Sequence, residues 1–402
     1  MAELGLDDVV QARTLLDDVL IDTPLLRSRV LSEKVGGPVH LKCENLQRAG
    51  SFKIRGAYVR IARLTDEERA RGVVAASAGN HAQGVALAAG LLGGKATVFM
   101  PVGAPLPKIA ATRGYGAEVV LEGEIVDETL AAARRHAETT GSVLIHPFDH
   151  PDVVAGQATL GMEIVEQCPD VGTIVVGIGG GGLAAGVALA AKAMRPGVRV
   201  VGVQADNVAA YPASLEAGHP VSISPSPTMA DGIAVGRPGD VTFPLVRELV
   251  DAVVTVSEES ISRALLLCLE RSKQVVEPAG AVGVAALLDH PRAFAPPVVA
   301  ILSGGNIDPL LTLKVLRHGM AAAGRYLALR CRLPDRPGAL ATLLRELADL
   351  GVNVLDVIHG RTSARLSLDE AEVHLQMETR GPEHCDEVLG RLRARGYTLT
   401  FT

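Results

Sequence analysis

The chain has 402 residues, a net charge of −6, 48% hydrophobic residues and only 3% aromatic residues, with no tryptophan. This length exceeds one ordinary hydrophobic core and predicts two domains. Acidic and basic residues are mixed without a basic block, which indicates that neither nucleic acid nor an anionic membrane is a partner. A core of Ala, Val, Leu and Ile suits buried parallel strands under closely packed helices.

The cysteines are scattered and odd in number, which indicates a reduced, cytoplasmic chain rather than a disulfide framework or a zinc site. They are Cys43, Cys168, Cys268, Cys331 and Cys385. The first residues are acidic and lack the apolar core of a signal peptide. Residues 174–191 are uncharged and long enough for a membrane span, but four consecutive glycines favour a strand, a loop and a helix instead.

Short β-branched runs alternate with Ala-rich stretches of helical length through most of the chain. The predicted strands are 39–44, 73–78, 96–101, 117–122, 142–148, 173–179, 198–205 and 298–305. This alternation predicts an α/β fold of parallel sheets with helices on both faces. Active sites of such folds lie beyond the carboxyl ends of the strands, where this chain has SAGNH (77–81), GGGGL (179–183) and SGGN (303–306).

The pattern changes near Gly324. The predicted order is then strand 325–334, helix 337–350, strands 352–362 and 371–380, helix 384–395 and strand 398–401. This βαββαβ order is the ferredoxin-like plan. It predicts a first domain of residues 1–324 and a separate domain of residues 325–402.

Lys53 stands at the predicted start of an apolar helix, where the positive end of the helix dipole disfavours a cation. Chance is one explanation of this position. The other is that Lys53 serves as an amine rather than as a charge.

The sequence GIGGGGLAAG (177–186) runs from a strand through four glycines into a helix. Successive glycine N–H groups at a helix start can bind a phosphate, whereas a tight turn chosen for packing normally needs fewer glycines. The same stretch fits the dinucleotide fingerprint GxGxxG only in part, because the next strand ends in Gln204 where an acidic residue is expected. A nicotinamide oxidoreductase therefore remains an alternative.

Small polar residues follow two other strands. Ser77, Asn80 and the N–H groups near Gly79 form a donor cluster suited to a carboxylate, although an ordinary capped helix explains them as well. His81 could be a base, a binding group or neither, and Ser303 offers a single neutral hydroxyl. One ligand accounts for these features together: pyridoxal phosphate, with Lys53 forming the imine.

The first domain, over residues 8–322, resembles the fold-type-II pyridoxal phosphate enzymes, and among them the threonine dehydratases (threonine ammonia-lyases). The matching elements are SFKIRGA, SAGNHAQGVA, GGGGL, ADGIAVGRPG (230–239) and SGGNID. The resemblance implies two lobes, with a small lobe of about residues 46–150 inserted. It assigns the imine to Lys53 and places Phe52, Asn80 and Ser303 against the cofactor ring. It assigns the phosphate to Gly179, Gly180, Gly181, Gly182 and Leu183, and the substrate carboxylate to Ser77, Asn80 and His81.

The resemblance also implies the chemistry. Lys53 would take the α-proton as general base, and the β-hydroxyl would leave, so that L-threonine yields 2-oxobutanoate and ammonia and L-serine yields pyruvate. This is the first step toward isoleucine or a step of threonine catabolism. Serine or another β-substituted amino acid as main substrate is the alternative. A chain that kept the fold as a non-catalytic amino-acid sensor is a third reading, and the intact Lys53, glycine loop and Ser303 argue against it.

Two positions differ from the related serine racemases. Those enzymes have a serine where this chain has Ala78, and alanine cannot exchange a proton. They also hold a divalent cation partly through a glutamate where this chain has Gln204. We therefore expect neither racemisation nor a divalent metal site, and a monovalent cation stays an alternative. The cluster His146, Asp149 and His150 is interpreted as a loop with a helix cap, and Glu277 either approaches the cofactor ring or is a buried, hydrogen-bonded group.

The last domain resembles an ACT domain through LPDRPGALATLLRELADLGVNVLDV. Asp335, Pro337 and Gly338 carry the signature of the first loop, and Asn353 begins the second strand. ACT domains commonly bind amino acids between paired copies. The resemblance implies a branched-chain amino acid as effector at Asp335, Gly338 and Asn353, and a homo-oligomer, either dimer or tetramer. A dimerisation module without a ligand is the alternative.

Overall fold

Strands of Val, Ile and Ala alternate with longer helices, as the predicted pattern requires. A computed structural model describes residues 4–224, 226–361 and 366–401. The strands are β1 (Leu25–Arg27), β2 (Val39–Lys42), β3 (Val73–Ala76), β4 (Ala96–Met100), β5 (Glu118–Leu121), β6 (Val143–Leu144), β7 (Thr173–Gly177), β8 (Arg199–Ala205), β9 (Ala252–Val256), β10 (Val298–Ile301), β11 (Tyr326–Pro334), β12 (Asn353–Gly360), β13 (Glu370–Glu378) and β14 (Thr398–Phe401).

The helices cover the faces of these strands. They are α1 (Leu6–Leu16), α2 (Arg29–Val35), α3 (Lys53–Ala62), α4 (Asp66–Arg71), α5 (Asn80–Leu91), α6 (Leu106–Gly114), α7 (Val126–Thr140), α8 (Pro151–Gln167), α9 (Gly182–Met194), α10 (Ala210–Ala217), α11 (Thr242–Leu249), α12 (Glu258–Leu267), α13 (Pro278–Asp289), α14 (Pro309–Ala322), α15 (Ala339–Asp349) and α16 (Pro382–Ala394).

The largest sheet has the strand order β1-β2-β10-β7-β8-β9. All of its neighbouring strands are parallel except β1, which pairs antiparallel with β2. The central strand β7 is buried along its whole length, as expected for a parallel sheet with helices on both faces. The sequence analysis missed β1, which has three residues, and β9, which lies at the sheet edge and is only half-buried.

A second parallel sheet, β5-β4-β3-β6, is inserted in the chain between β2 and β7. We call this sheet with α4 to α7 the small lobe, and the remainder of residues 4–309 the large lobe. The limits of 46 and 150 for the insertion stay a prediction. Strand β6 has only two residues where 142–148 was predicted, because the chain leaves the sheet before His146.

The C-terminal part is an antiparallel sheet of order β12-β13-β11-β14 with α15 and α16, which confirms the predicted βαββαβ plan. Alternate residues of β11 and β13 are buried against the helices, as the period of two along a strand requires. The chain divides into two compact units, Met1–Pro309 and Leu310–Thr402. A domain boundary at residue 324 stays a prediction.

Residues 174–191 form β7, a loop and α9 rather than one helix. Among the helices of residues 4–224, 226–361 and 366–401, none combines the length and the apolar character that crossing a membrane requires.

A buried ion network anchors α3, the helix that Lys53 begins. The Arg55 side chain has no solvent exposure, and its guanidinium donates to both carboxylate oxygens of Glu44 at 2.7 and 2.9 Å. It also donates to Thr159 at 3.0 Å and to Glu163, which in turn contacts the buried Lys42 amine at 2.8 Å. The network joins α3 to the segment after β2 and to α8.

We expect Arg55→Leu to lower the free energy of unfolding by about 3–5 kcal/mol, because it leaves a buried carboxylate without its partner. The measurement is urea unfolding followed by circular dichroism. The matched control is Arg13→Leu, which removes an exposed pair with Glu166 and should cost at most about 1 kcal/mol. Equal losses for the two variants would contradict the account.

Candidate active site

Backbone hydrogen bonds join the segment before Lys53 to the loop after β10. The Phe52 N–H donates to the Ser303 carbonyl at 3.1 Å, and the Gly305 N–H donates to the Gly50 carbonyl at 2.9 Å. Ser51 and Gly304 form an isolated antiparallel bridge between these bonds. The first residue of α3 is therefore fixed against the loop that follows β10, as parallel neighbours in one sheet allow.

The Lys53 amine lies in a desolvated position. Its Nζ donates to the Pro147 carbonyl at 3.0 Å and stands 5.1 Å from the centroid of the Phe52 ring. Burial lowers the pKa of Lys53 to about 8, and the carboxylate of Glu277 opposes this shift. The neutral fraction of the amine at pH 7 is therefore about one tenth, far more than for an ordinary lysine, and it rises to half at the pKa. A smaller positive charge lowers the cost of standing at a helix start, and the neutral fraction provides a nucleophile.

Asn80, the first residue of α5, is held from both ends of its amide. Its Nδ2 donates to Glu277 Oε1 at 2.6 Å, and its Oδ1 accepts from Asn306 Nδ2 at 2.9 Å. Burial, followed by the charge of Asp231, raises the pKa of Glu277 to about 7, although the bond from Asn80 acts in the other direction. Glu277 is thus a buried and hydrogen-bonded carboxylate, one of the two alternatives that the sequence left open.

The other two residues assigned to the substrate carboxylate have different surroundings. The Ser77 hydroxyl accepts from the Gly79 N–H at 3.1 Å in the loop before α5. His81 is buried, and its Nε2 donates to the Ile145 carbonyl at 2.8 Å. Burial and the nearby Lys53 charge lower the pKa of His81 to about 3, so the ring is neutral. Its contact packs α5 against the end of the small-lobe sheet.

The loop between β7 and α9 presents a row of free donors. Among the described residues, the backbone N–H groups of 179–183 have no hydrogen-bond acceptor. Gly181 has φ +105°, a conformation that favours glycine, and α9 begins at the next residue. Consecutive free N–H groups at the N-terminus of a helix suit an anion such as a phosphate.

Close packing also explains why these positions are glycine, so the argument that packing needs fewer glycines was incomplete. A Cβ on Gly180 would stand 2.2 Å from the Phe148 ring, and one on Gly181 would stand 2.0 Å from the Tyr211 hydroxyl. The glycines therefore admit the surrounding side chains. The inference of an anion site rests on the free N–H groups instead.

Comparisons with known proteins identify the family. Residues 16–304 match the family described as pyridoxal-phosphate dependent enzyme, and residues 328–396 match the ACT domain. The chain belongs to the pyridoxal-phosphate dependent enzymes. Its fold-type-II architecture, its ACT domain and its cofactor class are thereby confirmed.

Three similar proteins cover most of the chain. The "L-threonine ammonia-lyase" of Thermotoga maritima is 50% identical over 98% of this chain and 99% of its own length. The crystal structure of a threonine deaminase from "T.th." is 44% identical with a TM-score of 0.72, covering 76% of this chain and 99% of that one. Maize serine racemase is 37% identical with a TM-score of 0.74, covering 77% of this chain and 96% of that one.

The residues present fit pyridoxal phosphate. The free N–H groups of 179–183 can accept the phosphate, and Lys53 offers the amine. Ser303 is 5% exposed, and within the part of the chain that the structure describes its hydroxyl has no hydrogen-bond partner. A hydroxyl that no other described group uses, in the loop that is hydrogen-bonded to Phe52, is suited to a polar ring atom of the cofactor. The individual roles of these residues stay predictions.

His146, Asp149 and His150 lie in a loop and cap neighbouring backbone groups, as the sequence analysis predicted. His146 Nδ1 accepts from the Asp149 N–H at 2.8 Å, and His150 caps α8 by accepting from the Asp152 N–H at 3.1 Å. The Asp149 carboxylate accepts from the N–H groups of 240–242 at the start of α11. Among residues 4–224, 226–361 and 366–401, no group of three or more His, Cys, Asp or Glu side chains could hold a metal ion.

Sequence reasoning missed a second contact between the lobes. Lys108 of the small lobe contacts Asp231 of the large lobe, with 2.8 Å between Nζ and Oδ2. Asp231 lies in the motif ADGIAVGRPG, which was matched to the family but given no role. The family motif was therefore a sequence signal for Asp231, whereas no motif pointed to Lys108.

The residues expected to bind an effector are not brought together within one chain. A cavity of about 290 Å³ is lined by residues 333–340 with His359 and Arg361, and it includes Asp335 and Gly338. Asp335 accepts from Arg361 Nε at 2.9 Å, and Gly338, with φ +89°, precedes α15. Asn353 begins β12, and Arg361 follows the opposite end of this strand, so Asn353 stands roughly 25 Å from Arg361 along the strand.

The lowered pKa of Lys53 predicts the pH dependence of its reactivity. We expect imine formation between the cofactor-free protein and pyridoxal to accelerate as pH rises, with a midpoint of about 8, because only the neutral amine reacts. The imine absorption band measures the rate. Glu277→Gln should move the midpoint to lower pH, since it removes the carboxylate that raises the pKa of Lys53.

Lys53→Ala is the control and should show no such phase. A midpoint near that of an ordinary lysine, about 10.4, would contradict the desolvation argument.

Proposed function

We propose that this protein is an L-threonine ammonia-lyase that converts L-threonine to 2-oxobutanoate and ammonia, and L-serine to pyruvate and ammonia. The observation that carries the proposal is the position of the desolvated Lys53 amine between two loops. Its Nζ bonds to the Pro147 carbonyl, next to the Phe148 ring that packs on the glycine loop with the free N–H groups of 179–183, and the preceding Phe52 bonds to Ser303. The names of the relative from Thermotoga maritima and of the solved threonine deaminase support this reaction rather than another of the family.

When bound, pyridoxal phosphate supplies the electron sink that makes the α-proton of an attached amino acid acidic. The N–H groups of 179–183 and the positive end of α9 would bind the phosphate. Phe52 would pack against the ring, and Ser303 would face the ring nitrogen. As a neutral hydroxyl, Ser303 cannot hold that nitrogen protonated as a carboxylate would, which favours prompt elimination over transamination.

Lys53 would move the proton. Its pKa of about 8 leaves the amine able to take the α-proton near neutral pH. General bases are most effective when their pKa lies close to the working pH, as it does here. Asn80 would hold the ring hydroxyl, because Glu277 and Asn306 fix the orientation of its amide.

The substrate carboxylate would lie at the N-terminus of α5. The N–H groups of Asn80 and His81 begin this helix and have no acceptor among the described residues. Together with the Ser77 hydroxyl they form an anion site of the kind that helix starts provide. His81 would bind through its backbone, because its Nε2 is already used by the Ile145 carbonyl.

The decisive test is keto-acid release from L-threonine and L-serine, measured side by side. We expect release from both, and a loss of about 10²-fold or more in Lys53→Ala, since this variant removes the general base. The exposed Lys34→Ala is the matched control and should behave like the unchanged protein.

Release from threonine that survives in Lys53→Ala would remove Lys53 from the mechanism. Absence of release from both substrates, in protein that shows the imine band, would refute the dehydratase assignment and leave another β-substituted amino acid as substrate. Formation of D-serine would favour racemisation, against which Ala78 argues because it carries no exchangeable proton.

We further propose that the ACT domain binds a branched-chain amino acid in the cavity at Asp335. The Asp335 carboxylate suits the ammonium group of an amino acid, and Arg361 with the start of α15 suits its carboxylate. Asn353 lies too far away in the same chain, so a second copy would supply it. We therefore propose that the effector binds between paired copies in a homo-dimer or tetramer. We also propose a cytoplasmic location, which the free cysteines support because such thiols stay reduced there.

Calorimetry with L-isoleucine and L-valine tests the effector. We expect saturable heat, and an affinity about tenfold weaker or more in Asp335→Asn, because a charged contact is lost. The exposed Asp386→Asn on α16 is the control. Absence of heat, together with keto-acid release that neither amino acid changes, would refute the effector proposal. The ACT domain would then be a dimerisation module without a ligand.

A further inference from the structure

The carbonyl of Gly180, in the middle of the glycine loop, is held by donors from outside the loop. Thr242 Oγ1 donates to it at 2.6 Å, the Gly239 N–H at 3.2 Å and the Tyr211 hydroxyl at 3.3 Å. Thr242 and Tyr211 have no solvent exposure. A loop carbonyl with this many buried donors is fixed in direction, because breaking these bonds would leave several buried groups unpaired.

The direction of this carbonyl determines the direction of the next N–H. A trans peptide is planar, and its C=O and N–H point to opposite sides. Because Thr242 and Tyr211 hold the Gly180 oxygen on one side, the Gly181 N–H points to the other. That N–H is one of the free donors of 179–183, and the left-handed φ of Gly181 then starts α9.

Thr242 is itself fixed by the loop that precedes α8. It is the first residue of α11, and its N–H and that of Val241 donate to the Asp149 carboxylate at 3.2 and 2.8 Å. Gly239 allows this approach, since a Cβ there would stand 2.2 Å from Asp149 Oδ1. The end of the motif ADGIAVGRPG therefore serves to bring Thr242 against Gly180.

Tyr211 is fixed through Gln204. The Tyr211 N–H donates to Gln204 Oε1 at 2.9 Å, and Gln204 Nε2 donates to the carbonyl of Ile178 at 3.3 Å, next to the glycine loop. Both ends of this buried amide are thus used within the protein. Burial raises the pKa of Tyr211, so its hydroxyl stays protonated and remains a donor.

We propose that Thr242 and Tyr211 are positioning residues that orient the Gly180–Gly181 peptide for the phosphate of the cofactor. The inference rests on the proposed function and deepens it, because it names the two side chains that would determine the direction of a phosphate-binding N–H group. A merely structural role would affect stability without distinguishing a phosphorylated ligand from its unphosphorylated form.

The test is titration of cofactor-free Thr242→Val with pyridoxal phosphate and, separately, with pyridoxal, which lacks the phosphate. We expect the Kd for pyridoxal phosphate to rise about tenfold, the factor that corresponds to roughly 1.4 kcal/mol. The Kd for pyridoxal should stay within about twofold, as for an independent site. Tyr211→Phe should show the same selectivity with a smaller change, because its bond is longer.

Two controls make the result specific. Thr173→Val removes a buried hydroxyl that donates to the Ala295 carbonyl at 2.8 Å, at the opposite end of β7, and should leave both affinities unchanged. Thr242→Ser keeps the donor and should restore tight binding of pyridoxal phosphate. Equal losses for both ligands, or the same loss in Thr173→Val, would overturn the proposal.

The outcome is separable from that of the proposed function. If the unchanged protein binds pyridoxal phosphate but releases no keto acid, the reaction assignment fails and the positioning role can still be measured. If the unchanged protein binds pyridoxal phosphate no more tightly than pyridoxal, the glycine loop holds no phosphate and the positioning role is refuted.

Discussion

The buried guanidinium of Arg55 determines where Lys53 can stand. Each of its five N–H groups has an acceptor, from Glu44, Glu163 or Thr159. Desolvation of so many charges is unfavourable, and a hydrophobic replacement of the whole cluster could be as stable. The main effect of the network is therefore on position rather than on stability. It fixes the first turn of α3 against α8 and the segment after β2, and so fixes the position of the Lys53 amine.

Desolvation in this place moves each titratable group toward its neutral form. It lowers the pKa of Lys53 to about 8 and that of His81 to about 3, and it raises the pKa of Glu277 to about 7. An amine and a carboxyl group whose pKa values lie this close can exchange protons at small free-energy differences, as acid–base chemistry requires. In the proposed function the phosphate would be bound by backbone dipoles, which carry no proton and so would not compete with Lys53.

The sequence predicted those parts of the fold that depend on local pattern. The buried parallel strands and the βαββαβ order follow from runs of apolar residues, and the predicted strand limits differ from the observed ones mostly at the ends. Strand β9 was not predicted, because an edge strand needs less burial and so shows a weaker hydrophobic pattern. The motifs placed Lys53 at the start of a helix and placed Asn80, the glycine loop and Ser303 after the ends of strands, and topology then brought them together.

Contacts between distant segments could not be predicted in this way. Gln204 looked like a lost metal ligand, whereas its amide spans Tyr211 and Ile178. The glycines of the loop were explained by their N–H groups, whereas Phe148 and Tyr211 also exclude any Cβ there. Asn353 shares a sequence signature with Asp335 and yet stands at the other end of the sheet. Each case depends on which segments pack against each other, and this information is not present in any single stretch of sequence.

The two lobes divide the chemistry between them. The large lobe holds Ser303, Glu277 and the free N–H groups proposed to bind the phosphate. The small lobe holds the start of α5, where the substrate carboxylate would bind. Polar contacts between described residues of the two lobes include, first, those of Asn80 with Glu277 and Asn306 and, second, that of Lys108 with Asp231. The second contact bears on the first, because the charges of Asp231 and Lys108 shift the pKa of Glu277 in opposite directions. Separation of Lys108 from Asp231 would leave the Asp231 charge uncompensated and raise the pKa of Glu277 further. A neutral Glu277 would accept less strongly from Asn80, so the position of the small lobe and the protonation of the site are linked.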